Sequence, residues 1–435
     1  MLARDSGNAG CEACDRVSVP VLRQRLFATR RLSSELAAPL SPEDQTVQAM
    51  DDASPTKWHL AHTTWFFETF VLKPHLPGYR LFDERFPYCF NSYYEAAGPR
   101  HPRPYRGLLT RPSAAEVADY RSHVDEGLDR LLSGLGEEID LAGLIELGIN
   151  HEQQHQELLL TDILSLFAAN PLRPAYRAAS GPDCQPRPTT ATTGRDWLSF
   201  AGGIHSVGHT GAGFTYDNEG PSHEQLLRPF RLQSTLVTNA DWLAFMTDRG
   251  YETVEHWLAD GWATVRREGW QAPLYWEKRE GAWLQMTLDG LLPVEPAAPV
   301  SHISYYEADA FARWAGKRLP TEFEWEAAAA EATEENTLAT GALRPRAAQP
   351  GPSRTPRQML GDVWEWTQSA YAPYPGFRAS AGAIGEYNGK FMVSQYVLRG
   401  ASCVTPAGHT RRTYRNFFYP HQRWQFTGLR LADDH

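Results

Sequence analysis

Asn150-His151-Glu152-Gln153-Gln154-His155-Gln156-Glu157-Leu158-Leu159-Leu160 places two histidines four residues apart in a stretch of helical character. At that spacing both imidazoles fall on one helical face, so together they can hold a metal ion without bending the backbone. The stretch predicts a long helix over 141–169, ended by Asn170-Pro171. Upstream, Ser113 and Glu116 form a capping box ahead of VADYRSHVDEGLDRLLSGL, residues 117–135. Ser54-Pro55 predicts another start, with Ser54 as cap and a helix through KWHLAHTTWFFETFVL (57–72) to Pro74. A further helix near 20–38 makes four, the number needed for a bundle over 18–172. The connection from Lys73 to Pro112 is long and rich in Pro, Tyr and Arg, the kind of loop that usually carries function.

Beyond Asn170 the pattern changes. A Pro- and Thr-containing link spans 173–194, and from 195 to 435 short apolar runs alternate with glycine turns. Two helices are predicted there, near Asn239 to Arg249 and from Tyr305 to Ala315, in a loop-rich α+β domain. Trp325, Trp364 and Trp366 are expected to be packing residues.

At 435 residues the chain exceeds one ordinary core, which predicts two domains. A net charge of -10 argues against a nucleic-acid partner. No apolar run suits a membrane helix and no secretory signal opens the chain, so a cytoplasmic protein is expected. Five cysteines suggest no disulfide framework, and Cys11 and Cys14 form a CxxC without a second pair, expected to be idle.

His59 and His62 on the earlier helix are candidates for a third metal ligand, since facing bundle helices converge on the interior. Imidazoles suit iron, copper, zinc and nickel alike. His151-Glu152-Gln153-Gln154-His155 also matches the HExxH pattern of zinc hydrolases, although the downstream glycine and third histidine of one large protease group are missing.

SPTKWHLAHTTWFFE (54–68) and NHEQQHQELL (150–159) resemble the DinB-like bundle of the ergothioneine-biosynthetic sulfoxide synthases. FAGGIHSVG (200–208), VTNADWLAFM (237–246), the run 299–329, GDVWEW (361–366), VLRGASC (397–403) and TGLRLA (427–432) resemble the formylglycine-generating-enzyme fold, related to C-type lectins. The resemblance implies a non-haem iron(II) enzyme in which His62, His151 and His155 hold the metal and O2 is co-substrate. The implied reaction joins cysteine sulfur to the imidazole of N-α-trimethylhistidine (hercynine), with sulfoxidation. His59 would then be a packed or supporting histidine.

Further roles follow from the same resemblance. Gln154 matches the position that touches the substrate imidazole, and Arg415, Asn416, Phe417 and Phe418 match the loop that closes over the quaternary ammonium group. Arg103 and Arg106 match the pair that holds the thiol substrate's carboxylate, a geometry suited to guanidinium forks. Tyr93 and Tyr94 are candidates for the acid near the metal. Phe418 stands where the branch using γ-glutamylcysteine carries an acidic residue, so L-cysteine is expected. The stretch 410–431 lacks the cysteine pair of the formylglycine-generating enzymes, which argues against sulfatase maturation. The alternatives are γ-glutamylcysteine as thiol, the ovothiol-type reaction (whose added methyltransferase domain has no room after Leu431), a zinc hydrolase, and a non-catalytic scaffold.

Overall fold

The computed structural model describes residues 18–134, 141–177, 196–350, 354–379, 385 and 388–434. Cys11, Cys14 and residues 178–194 of the predicted link lie outside the described residues.

The four predicted helices are present. α1 (Val19–Ala37) and α2 (Thr56–Phe66) come first, and α2 runs on into a wider π-helical turn, Phe67–Leu72. A last turn, α3 (Lys73–His75), carries Pro74. The chain therefore passes the proline at which a stop was expected. The loop holds one short α-helix, α4 (Phe86–Phe90), and two 3-10 turns, Glu95–Ala97 and Arg103–Leu108, before α5 (Ala114–Ser133) and α6 (Ala142–Ala169). The capping box on α5 forms as predicted: Glu116 N–H donates to Ser113 Oγ (3.2 Å), and Ser113 N–H donates to Glu116 Oε2 (2.7 Å).

The cap expected at Ser54 does not form. Pro55 takes the cap position without a side-chain bond, while Ser54 N–H donates to Asp162 Oδ2 (2.8 Å) and Ser54 Oγ accepts from Arg106 Nη1 (2.9 Å). Tertiary partners claim both polar groups of Ser54, so a local signal loses to the site.

The second half is built from small sheets. β1 (Trp197–Phe200), β4 (Phe230–Gln233) and β12 (Ala432–Asp434) form one antiparallel sheet, and β2 (Gly203–Val207) pairs with β3 (His223–Leu227). β5 (Trp276–Arg279), β6 (Ala282–Thr287) and β7 (Gly290–Pro293) make a meander. The central sheet has the order β10-β9-β8-β11, from β8 (Trp364–Ala370), β9 (Tyr396–Gly400), β10 (Asn416–Phe418) and β11 (Thr427–Gly428). Its edge strand β10 thus carries three residues of the predicted substrate loop.

The predicted helices appear as α7 (Asn239–Thr247) and α9 (Tyr305–Trp314). Two more accompany them, α8 (Ala259–Glu268) and α10 (Glu322–Ala328). α10 is short, but its Thr321/Glu324 capping box was legible. α8 was obscured by Gly261, whose missing Cβ lets the ring of Tyr306 on α9 pack close. Trp325 and Trp366 are fully buried and Trp364 nearly so, as expected of packing residues.

The two halves share a continuous core: Met286, Leu288, Cys403, Val404 and Phe426 pack in the same apolar cluster as the bundle leucines. Where α6 crosses the π turn there is no spare room, since a Cβ on Gly148 would lie 2.5 Å from the Phe67 ring. Gly148→Ala is therefore expected to destabilise the fold by about 1–3 kcal/mol, as overpacking does. Thermal unfolding reads this as a lowered midpoint; an unchanged midpoint would mean that Phe67 moves aside freely.

Candidate metal centre

α2 and α6 face each other and bring His62, His151 and His155 together, with candidate ligand atoms within 4.8 Å of one another. His62 Nε2 lies 3.2 Å from His151 Nε2, about the separation of two imidazole nitrogens sharing one ion. His62 Nδ1–H donates to the carbonyl of Phe90 (2.6 Å), which leaves Nε2 as the bare lone pair. Burial, and then the neighbouring His151, hold the His62 ring well below the ordinary imidazole value. His155 is lowered likewise, by burial and then by His62 and His151, and burial takes His151 down to about 4. All three rings are neutral at pH 7, the state in which imidazole binds a metal.

His59 lies one turn before His62 and does not join the triad. Its Nδ1 is 2.9 Å from His155 Nδ1, and its Nε2 is 3.0 Å from Asp162 Oδ2. Asp162 also accepts from the Trp424 indole N–H of the second half (3.0 Å).

Glu152, the general base of a zinc hydrolase reading, faces the other way. Burial alone would push its carboxyl up, but Arg121 and Arg30, with hydrogen bonds from Ser33 and Arg121, hold it at about 2. Oε2 accepts from Arg30 Nη1 (3.0 Å), and Oε1 from Arg121 Nη2 (2.8 Å) and Ser33 Oγ (2.6 Å). A carboxylate committed to three donors inside the bundle cannot take a proton from a metal-bound water.

His62 and His155 line a cavity of about 210 Å³ between the halves, as does every predicted site residue other than His151, which lines a second cavity that shares Tyr94 and Gln154 with the first. Arg106 is buried with its guanidinium 3.4 Å above the Trp58 ring, and Trp58 stacks on His62 at 4.7 Å. Arg106 donates to Ser54 and Ser92 hydroxyls, and burial with the nearby Arg103 charge lowers it to about 9. Arg103 donates to Tyr93 Oη (2.7 Å) and to the Asp52 carbonyl. Neither arginine has a carboxylate partner among the described residues. Gln154 Nε2 donates to Tyr414 Oη (2.6 Å), and its buried Oε1 has no partner among the described residues.

Tyr94 is buried among Trp65, Phe66 and Phe70, whereas Tyr93 sits at the cavity rim against Phe391. Phe417 stacks on Tyr371 (4.1 Å) and Phe418 meets Trp424 edge-on (5.8 Å). Asn416 Oδ1 accepts from Phe417 N–H (2.9 Å). Arg415 lines the cavity, and its guanidinium is buried in an ion pair with Glu322 (2.8 Å) and a bond to the Asn218 carbonyl (2.9 Å). It braces the loop from behind.

Residues 25–159 match the family model of the DinB superfamily, and 183–355 with 355–435 match the sulfatase-modifying factor enzyme 1-like domain. The chain is 34% identical over 403 residues to hercynine oxygenase of Mycobacterium tuberculosis, covering 88% of this chain and 91% of that protein. It is 34% identical over 422 residues to hercynine oxygenase of Mycolicibacterium thermoresistibile, covering 88% and 87%. The chain belongs to the hercynine oxygenase family. It is accordingly an oxygenase of the ergothioneine-pathway sulfoxide synthase type. Formylglycine-generating enzyme of Streptomyces coelicolor matches only part of it, 37% over 180 residues, 36% of this chain and 52% of that protein. Of the described cysteines, Cys403 is fully buried and burial pushes its thiol well above the ordinary value, while Cys89 lies in the bundle loop. No helix of the described residues is long and apolar enough to cross a membrane.

The residues that sequence reasoning missed are the supports. Asp162 lies seven residues after His155, on the same helical face, a signal that was available. Trp424, Tyr414 and Ser92 carried none, because only the fold brings them to the histidines.

Glu152 supplies the test of this geometry. Its folded value of about 2 lies below the unfolded carboxylate value of roughly 4.3, so its stabilisation is complete above that pH and is lost as pH falls toward 2. Glu152→Gln leaves Arg30 and Arg121 without their shared charge and is expected to cost about 3–5 kcal/mol at neutral pH. It should also flatten the acid limb of the stability profile. A variant of full stability that had lost only catalytic rate would restore Glu152 as a base.

Proposed function

We propose that the chain is an iron(II)-dependent, O2-using hercynylcysteine sulfoxide synthase that joins L-cysteine to hercynine in ergothioneine biosynthesis. The observation that carries this reading is the pairing of Arg103 and Arg106, two guanidiniums without a carboxylate, beside three neutral histidines. A zwitterionic thiol with its carboxylate on that pair would have its sulfur directed toward the triad. In functional terms we divide the chain into a metal-bearing bundle (18–172), a link (173–194) and a substrate-capping half (195–435).

Iron(II) held by His62, His151 and His155 would keep its full charge, deprotonate a bound thiol and supply the redox chemistry with O2. The remaining work belongs to the chain. Gln154 Oε1 is an acceptor available for the hercynine imidazole N–H. Phe417 offers an aromatic face and Asn416 a carbonyl oxygen to a trimethylammonium group that has no N–H of its own. Phe418 against Trp424 makes an apolar wall where a γ-glutamyl ammonium would need an anion, which favours free cysteine. Tyr94, which lines the cavity, and Tyr93, hydrogen-bonded to Arg103, are the proton donors assigned to the site.

The test is anaerobic reconstitution with iron(II), then oxygen uptake and product mass with hercynine plus either cysteine or γ-glutamylcysteine. A coupled sulfoxide with cysteine is the expected result. Product only with γ-glutamylcysteine would overturn the choice of thiol, and tightly held zinc without uptake would return the hydrolase reading. Arg106→Lys is expected to raise KM for cysteine about 10-fold with KM for hercynine unchanged, since it loses the fork but keeps the charge. Tyr94→Phe should divert product toward cysteine sulfinic acid; an unchanged sulfoxide yield would remove it from the acid's role.

A further inference from the structure

The hydrogen-bond roles around His59 follow from the acceptor at one end. The Asp162 carboxylate accepts from three N–H groups, on Ser54 (2.8 Å), His59 (3.0 Å) and Trp424 (3.0 Å). His59 therefore donates through Nε2–H, and its Nδ1 faces His155 Nδ1 at 2.9 Å. A His155 that binds a metal through Nε2 carries its proton on Nδ1, where His59 Nδ1 is placed to accept it. The contact thus favours the tautomer of His155 whose Nε2 is bare. His62 reaches the same state more simply, through the Phe90 carbonyl.

Three of these groups lie on two bundle helices, but the outer anchor does not. Trp424 belongs to the second half, close to β11, and is buried with its N–H committed to Asp162. The indole occupies Asp162 Oδ1, which leaves Oδ2 to His59 and to the Ser54 N–H. The state of a ligand in the bundle is thus tied, through three consecutive hydrogen bonds, to the seating of the other half.

We propose that Asp162 and His59 are positioning residues that hold the tautomer and orientation of His155, and that Trp424 anchors them, so that metal affinity depends on the contact between the halves. The proposal deepens the functional reading only in sharing its metal triad, and it requires no particular reaction. Supports of metal-binding histidines are typically worth 10–100-fold in affinity.

The test uses the full-length apo chain, titrated with cobalt(II) and followed by visible absorption, with thermal unfolding of each apo variant alongside. His59→Phe is expected to weaken binding 10–100-fold. His59→Asn, whose side-chain oxygen can accept where Nδ1 did, should recover most of that loss. Trp424→Phe should weaken binding severalfold while the triad and its two bundle supports stay intact. Cobalt binding by His59→Phe as tight as that of the unaltered chain would overturn the proposal. So would His59→Asn binding as weakly as His59→Phe, because a merely space-filling histidine gives no rescue. Unchanged affinity in Trp424→Phe would overturn the tie to the second half. Because no substrate is present, failure of the relay and failure of the proposed reaction are separate results.

Discussion

Glu157 is the constraint on which the arrangement turns. It projects from α6 toward the second half and accepts from Trp364 Nε1 (2.7 Å), Ser402 Oγ (2.6 Å) and Thr405 Oγ1 (2.7 Å). Burial pushes its carboxyl up, opposed by those three donors. Removing any donor would leave a desolvated carboxylate under-satisfied, so the register of α6 against β8 and the following loops has little freedom. Within the preceding turn of α6 stand Gln154 and His155, and their height in the cavity follows from this contact.

Three of the acidic residues of α6 follow at intervals of five, Glu152, Glu157 and Asp162, and the helix turns each to a different neighbour. Glu152 is neutralised by two arginines inside the bundle. Glu157 docks the second half. Asp162 supports His59 and, through it, His155. None of the three reaches the triad as a ligand, so the histidines alone set the charge of the site. A bound divalent ion would keep its charge of two, which suits the capture of anionic or ionisable partners.

Uncompensated positive charge is the other side of that arrangement. Elsewhere the buried arginines are paired: Arg30, Arg121, Arg399, Arg415 and Arg430 each meet a buried or half-buried carboxylate. Arg106 instead rests on the Trp58 ring, whose other side stacks on His62. The aromatic face offsets part of the desolvation cost and holds the guanidinium pointed into the cavity. A cation left exposed to a cavity in this way is a binding group held ready for an anion.

The sequence by itself determined the helical half and the His151–His155 pair, with His59 and His62 both left as candidates beside it. Helical periodicity, the Ser113 capping box and the i,i+4 histidines are local signals, and the spacing of His151 and His155 has only one geometric outcome on a helix. The motif blocks of the second half were legible as a resemblance, whereas α8 and the cap at Ser54 were misread where packing or a tertiary hydrogen bond overrode local preference. Only the tertiary structure decided which way each acidic residue of α6 faces, that His59 supports rather than binds, and that Arg415 braces its loop from behind. Those outcomes depend on partners 93 to 262 residues away, such as Glu322, Trp364 and Trp424. A side chain's role in a desolvated site is set by which donors reach it, and that is a property of the folded chain.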